Sequence, residues 1–250
     1  MIYINITYLL LVTMVFKTDD LLFKDHKISV IIAWTLRIFL ILFGIYEIIF
    51  GFPVYGFMIL VAVCLILLPA ILTRQHIFIP LEFEILFLII IVLEYVVADS
   101  LSLYARFGYY DKFQHTMIPA ITSFMGVLLV YIGYRFDKFK ASYLMAGIII
   151  VFVTIGLGAV LEVIEYGYDH FIGPATNFYI TQGALTQGSS ILDPFTDTMT
   201  DLMFDIVGAV IGAVFGVWIL IRHEKGNKKS LLDEEIEIMK YYRKNNNIKK

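Results

Sequence analysis

Residues 142–165 read SYLMAGIIIVFVTIGLGAVLEVIE, an apolar run whose only charges are Glu162 and Glu165 in its last turn. About 20 apolar residues span the hydrocarbon core of a bilayer as an α-helix, so this run predicts a membrane span. A carboxylate in hydrocarbon costs several kcal/mol unless it is paired, neutralised or bound to a cation. The two glutamates lie three residues apart and share a helix face, which indicates that this end of the helix has a function.

Similar apolar runs recur along the chain of 250 residues, of which 60% are hydrophobic and 16% are charged. A soluble domain carries roughly 25% charged residues. The sequence therefore predicts an all-α fold, a polytopic transmembrane helix bundle with six or seven spans. We prefer seven, although the first segment is short. The segments are about 2–16, 30–50, 56–72, 82–104, 113–133, 142–165 and 199–221.

Basic residues are concentrated on one side of the seven-span arrangement. That side comprises the loops at 17–27, 73–80 and 134–140 and the tail after 221. The opposite side has only Arg106 and Lys112. The positive-inside rule makes the basic side cytoplasmic, which places the N-terminus outside and the C-terminus inside. We divide the chain into a transmembrane bundle, 1–221, and a charged cytoplasmic tail, 222–250, that is partly an amphipathic helix.

Acidic residues from four of the segments fall at the outer, non-cytoplasmic side in this orientation. They are Glu94, Asp99, Asp111, Glu162, Glu165, Asp197, Asp201 and Asp205, with His115 one turn after Asp111. Such a set repels itself unless cations lie within it, and Arg106 and Lys112 are too few. Oxygen ligands favour Mg²⁺, Mn²⁺ or Ca²⁺, and an added imidazole admits Zn²⁺. The sequence therefore predicts a divalent metal site at the outer ends of spans five to seven.

Six residues are the predicted metal ligands, and the first three are also the catalytic candidates. They are Asp111, His115, Glu162, Glu165, Asp197 and Asp201. Protons could neutralise some of these carboxylates instead. His115 is also compatible with a structural role beside Asp111, Glu165 with a solvated helix end, and Asp197 with a helix N-cap.

Two further features have structural interpretations. Arg37, inside the second span, is expected to snorkel or to pair with a carboxylate. Gly208, Gly212 and Gly216 have the four-residue spacing of closely packed membrane helices. The sequence has no nucleic-acid motif, and no serine-hydrolase, zincin or P-loop motif supports those activities.

Three motifs carry a resemblance to a known family. The stretches YYDKFQH (109–115), LEVIEYGYD (161–169) and LTQGSSILDPFTDTMTDLMFDIVGA (185–209) resemble elements of the uncharacterised YjdF-like inner-membrane proteins. A weaker likeness exists to VanZ-like membrane proteins. The resemblance covers about 80–220 and implies a multi-pass protein of a prokaryotic cytoplasmic membrane, with no assigned activity.

By position, the resemblance also singles out residues of the long loop at 166–198. Gln187, Gly188 and Asp193 match the family's third element, which implies a ligand-contacting loop. The chain departs from that element at Ser189 and Leu192, where the family often has an acid and a tryptophan. The resemblance therefore implies no role for the residue after Gly188.

Three functions are compatible with the sequence. The first is a metal-dependent enzyme that acts on a lipid-linked or envelope substrate. The second is a cation- or proton-coupled transporter, and the third is a structural or accessory protein whose polar network joins helix ends. Membrane lipids are the expected surroundings in each case. The sequence leaves open whether the protein is an enzyme.

Overall fold

A computed structural model describes residues 27–72, 81–137, 140–176 and 194–225 and the tail positions 233, 236, 237 and 240. The regular structure of this part of the chain is helical. The helices are α1 (Lys27–Phe50), α2 (Pro53–Leu72), α3 (Leu81–Ile91), a π-helix (Val92–Ser100), α4 (Leu103–Arg106), α5 (Tyr110–Arg135), α6 (Tyr143–Phe171), α7 (Gly173–Thr176) and α8 (Pro194–Lys225). The predicted segment 2–16 and the ligand loop with Gln187, Gly188 and Asp193 lie outside the described residues.

The chain divides into two compact units, Met1–Tyr95 with Lys228–Lys250, and Val96–Asn227. In the first unit, α1 ends at Phe50 and α2 begins at Pro53, a residue that tolerates the first helical position because no partner is needed there for its missing N–H. The Glu47 carboxylate accepts a hydrogen bond of 2.8 Å from the Phe52 amide and so closes the turn. A Cβ at Gly56 would overlap the Gly44 carbonyl, so the two glycines let α1 and α2 approach closely.

Arg37 of α1 and Glu84 of α3 form a buried ion pair in the same unit. Arg37 Nε and Nη2 donate to the two carboxylate oxygens, the Nη2 bond being 2.6 Å long, and the guanidinium lies 4.6 Å from the centre of the Trp34 ring. The side chains are 4% and 11% exposed. The predicted pairing of Arg37 with a carboxylate is confirmed.

In the second unit, α5 and α8 pack side by side and run parallel, and α6 packs against both. A Cβ at Gly208 would overlap the Thr116 carbonyl, and one at Gly212 would overlap the Ala120 carbonyl. The backbones can come this close only because α8 has no side chain at these positions. The predicted close packing of this glycine series is therefore confirmed.

The predicted segment 82–104 is not a single α-helix. The α-helix ends at Ile91, the π-helix follows to Ser100, and Ser102 then adopts left-handed backbone angles before the short α4. The change coincides with the polar residues Glu94, Asp99 and Ser100, which interrupt the apolar run. π-helices are rare and occur frequently at functional sites.

Within the described residues, four helices are long and apolar enough to cross a bilayer: Lys27–Phe50, Tyr110–Arg135, Tyr143–Ala175 and Phe195–Arg222. The surfaces of these helices show the reverse of the pattern in soluble proteins, because apolar side chains are exposed and charged side chains are buried. Phe152 and Val163 are 71% and 66% exposed, whereas Glu162 and Asp201 are 3% and 2% exposed. Apolar side chains that face outward around buried charges are what lipid surroundings require. The protein is a polytopic membrane helix bundle.

Candidate metal site

Lys112, in the first turn of α5, lies within a group of aspartates from two helices. Its Nζ is 2.8 Å from Asp111 Oδ2, 2.8 Å from Asp197 Oδ1 and 2.5 Å from Asp201 Oδ1. An ammonium group has three donors, and each has a carboxylate partner here. The Lys112 side chain is 7% exposed, so this is a buried, charge-assisted network that joins α5 to α8.

His115 lies one turn further along α5 and faces a second group of carboxylates. Its Nδ1 is 3.0 Å from Asp205 Oδ1. Its Nε2 is 3.5 Å from Glu162 Oε1, 3.7 Å from Asp111 Oδ1 and 3.9 Å from Asp201 Oδ1. A carboxylate only accepts hydrogen bonds, so Nδ1 donates to Asp205 and Nε2 is directed at the other three carboxylates.

The helices explain why these side chains meet. Residues four apart share one face of a helix, so Asp197, Asp201 and Asp205 form a stripe on α8, and Asp111 and His115 share a face of α5. Because α5 and α8 run parallel, the stripe and the face lie side by side. Glu162 approaches from α6, which also faces Asp205, since a Cβ at Gly158 would overlap Asp205 Oδ2.

The site is buried and strongly acidic. The carboxylate side chains in contact with Lys112 or His115 are 3–8% exposed, and His115 is 22% exposed. Asp111, Glu162, Asp197, Asp201 and Asp205 face Lys112 and His115 in the described part of the chain. Burial weakens the solvent screening of like charges, so this excess of negative charge favours the uptake of a cation or of protons.

Asp111, His115 and Asp201 form a group that could hold a metal ion, because they offer ligand atoms that all lie within 4.8 Å of one another. Ligands that share an ion at about 2.1 Å are themselves roughly 3–4.2 Å apart. The distances of 3.5, 3.7 and 3.9 Å from His115 Nε2 to the three carboxylates fall in this range. The residues present therefore fit a divalent cation.

The six predicted ligands divide into three kinds of position. Asp111, His115 and Asp201 offer ligand atoms that all lie within 4.8 Å of one another, and Glu162 lies beside them with Oε1 3.5 Å from His115 Nε2. Asp197 instead contacts Lys112, and it is not an N-cap because α8 begins at Pro194. Glu165 is half-buried one turn beyond Glu162 and interacts electrostatically with Glu162 and His115. Glu94 and Asp99 lie in the π-helix.

The importance of Lys112 was not predicted, because in the sequence it is only one of two basic residues on the acidic side. The available signal was its position directly after Asp111 at a helix start. Asp205 was also not among the predicted ligands, although the four-residue spacing from Asp201 places it on the acidic stripe.

The fold and the site define a multi-pass membrane protein with a charged group buried between three helices. The chain belongs to the family described as Predicted membrane protein (DUF2238), whose profile matches residues 28–222. The matched region contains α5, α6 and the acidic stripe of α8. No curated protein and no solved structure matches the chain significantly. The likeness to YjdF-like and VanZ-like proteins stays a prediction.

Proposed function

We propose that the protein binds a divalent metal ion in the membrane through Asp111, His115, Glu162 and Asp201. One observation carries this proposal. His115 Nε2 faces three carboxylate oxygens at 3.5–3.9 Å, which is too long for good hydrogen bonds but suits ligands of a shared ion. Glu162 supports it, since it is 3% exposed and its nearest cationic partner among the described residues is this imidazole.

The donor set narrows the choice of metal. Three carboxylates and one imidazole make a mixed oxygen and nitrogen site, which suits Mn²⁺, Fe²⁺ or Zn²⁺. Mg²⁺ and Ca²⁺ prefer oxygen ligands alone and fit less well. Asp205 contacts Nδ1 of His115 and fixes the orientation of the ring. With a metal at Nε2, Asp205 would be the outer carboxylate of a carboxylate–histidine–metal arrangement, which would raise the basicity of Nε2.

The distribution of basic residues supports a location at the outer face of a cytoplasmic membrane. Arg135 and Lys140 lie at the end of α5 opposite the site, and the C-terminal tail is also basic. The positive-inside rule places that end in the cytoplasm. On this proposal the chain has seven spans, and the site opens towards the cell envelope of a prokaryote.

An enzyme that acts on an envelope or lipid-linked substrate is the function that we favour. A bound metal would polarise the substrate or activate water. Glu162 is the proposed ligand carboxylate that Lys112 does not contact, so its oxygen that does not bind the metal can accept a proton from a reacting group. Asp111 and Asp201 are held by Lys112, which restricts them to binding and orientation.

A second candidate, a cation- or proton-coupled transporter, is favoured by polar groups that continue beyond the site. Ser123 lies two turns after His115 on α5, and Thr154 lies two turns before Glu162 on α6; both are buried. Ser123 Oγ has no hydrogen-bond partner among the described residues. Proton or Mn²⁺ flux in proteoliposomes tests this candidate, and flux in the wild type that Glu162→Gln abolishes would support it over the enzyme.

Metal analysis of purified protein tests the site itself. After chelation and reloading with Mn²⁺ or Zn²⁺, we expect the wild type to retain metal and His115→Ala to lose it. His170→Ala is the matched control, because this exposed histidine of α6 stacks on Tyr166 and is not among the residues that face the site. Absence of metal from the wild type, or equal retention by His115→Ala, would falsify the metal site.

A further inference from the structure

The Lys112 and His115 groups share two carboxylates. Asp111 directs Oδ2 to Lys112 at 2.8 Å and Oδ1 to His115 at 3.7 Å. Asp201 Oδ1 is 2.5 Å from Lys112 Nζ and 3.9 Å from His115 Nε2. The site therefore has two neighbouring cation positions that are bridged by the same pair of aspartates, and a lysine already occupies one of them.

Carboxylates that bridge two cations are typical of two-metal sites, in which the ions lie about 3.5–4 Å apart. In this protein the ammonium of Lys112 has the position and the ligands of one such ion. Resting on the function proposed above, we infer that Lys112 is a fixed substitute for a second metal, so that the site binds one ion per chain at His115.

Burial and hydrogen bonding explain why the lysine is not displaced. Each donor of the ammonium has an aspartate partner, and Asp197 lies 2.8 Å from Lys112 Nζ. A metal entering this position would have to expel a covalently tethered cation into low-dielectric surroundings, which is unfavourable. Among the described residues, the basic group that faces the position at His115 is the imidazole itself, which is a metal ligand when it is neutral.

Lys112 is consequently a positioning residue. It orients Asp111 and Asp201 for the metal at His115 and removes one negative charge from the cluster. With its three donors occupied, the ammonium is not available as a nucleophile or as a donor to substrate.

Mn²⁺ loading followed by electron paramagnetic resonance tests the inference on the full chain in detergent. We expect the wild type to bind one Mn²⁺ with an uncoupled spectrum. Lys112→Met should vacate the second position and bind two ions with an exchange-coupled spectrum. Lys112→Arg, which keeps the charge, should still bind one.

The outcomes separate the two proposals. Two coupled ions in the wild type, or a single ion in folded Lys112→Met, would overturn the inference while the metal site stands. If Lys112→Met does not fold, Lys112→Gln, which also removes the charge but keeps a polar side chain, replaces it and should likewise bind two ions. Binding of neither Mn²⁺ nor Zn²⁺ by the folded wild type would defeat the metal site itself.

Discussion

His115 Nδ1 lies 3.0 Å from Asp205 Oδ1, one turn beyond the aspartates that contact Lys112. This contact fixes the rotation of the imidazole, so that Nε2 faces Asp111, Glu162 and Asp201. The relationship joins α5 to α8 and makes Asp205 a determinant of the site without being one of its ligands.

Asp205→Asn should weaken metal binding about 10–100-fold, the usual effect of losing a carboxylate that orients a ligand histidine. Competition against a chelator of known affinity measures the change. Asp137→Asn is the control, because Asp137 is exposed at the far end of α5 and asparagine tolerates its positive φ of 55°. Equal affinities for Asp205→Asn and the wild type would contradict the orienting role.

Gly158→Ala should lower metal affinity about tenfold, within the range expected for disturbing an outer carboxylate, because its new methyl group would overlap Asp205 Oδ2. Gly156→Ala, two residues earlier, should leave affinity unchanged because a Cβ there would meet no neighbouring part of the described chain within 4 Å. The same chelator competition applies. In the double variant with Asp205→Asn the losses should be less than additive, since both act through one carboxylate; full additivity would separate Gly158 from Asp205.

Glu162→Gln should reduce metal affinity at least tenfold, whereas Glu165→Gln should reduce it by less than about threefold. Loss of a ligand carboxylate should cost at least as much as loss of an outer one. Glu162 Oε1 lies 3.5 Å from His115 Nε2, whereas Glu165 interacts with the cluster only electrostatically. Isothermal titration of the chelated protein with Zn²⁺ compares the two variants. A larger loss in Glu165→Gln would reverse their proposed roles.

Arg37→Leu should destabilise the protein by about 3–5 kcal/mol, because the Glu84 carboxylate would stay buried without its ion pair. Arg37→Leu together with Glu84→Leu should recover most of that loss. Unfolding in mixed micelles across the four-member mutant cycle measures both effects. A double variant as unstable as the sum of the single variants would show that the two residues act independently.

The sequence was sufficient to predict where most helices lie. A long apolar run between polar loops must satisfy its backbone hydrogen bonds internally in a bilayer, and it does so as a helix. The segments 30–50, 113–133, 142–165 and 199–221 correspond to α1, α5, α6 and α8. The π-helix was not predictable in this way, since apolar length does not distinguish an α-helix from a π-helix. Helix boundaries also shifted: α8 begins at Pro194, five positions earlier than expected.

The approach of Asp111, Glu162 and Asp201 was predictable because the predicted orientation brings the ends of their three helices to one side of the membrane, and a spacing of three or four residues keeps the acids of one helix on one face. The pairing of each acid with a particular cation was not predictable. This pairing depends on the rotation of each helix about its axis and on the offset between α5 and α8 along their axes. Lys112 shows the difficulty most clearly. In the sequence it is only one of two basic residues on the acidic side, but the packing of α8 buries it against Asp197 and Asp201.

The glycines of α8 recur every four residues, and they meet α5 at Thr116 and Ala120, which are also four apart. A slide of one turn, about 5.4 Å, would bring Gly212 to Thr116 and Gly216 to Ala120 with little change in backbone fit. The same slide would bring Ala209 to His115 in place of Asp205. Buried polar groups commonly specify the alignment of packed helices, and here the charged residues select one register from two that the glycines alone would allow.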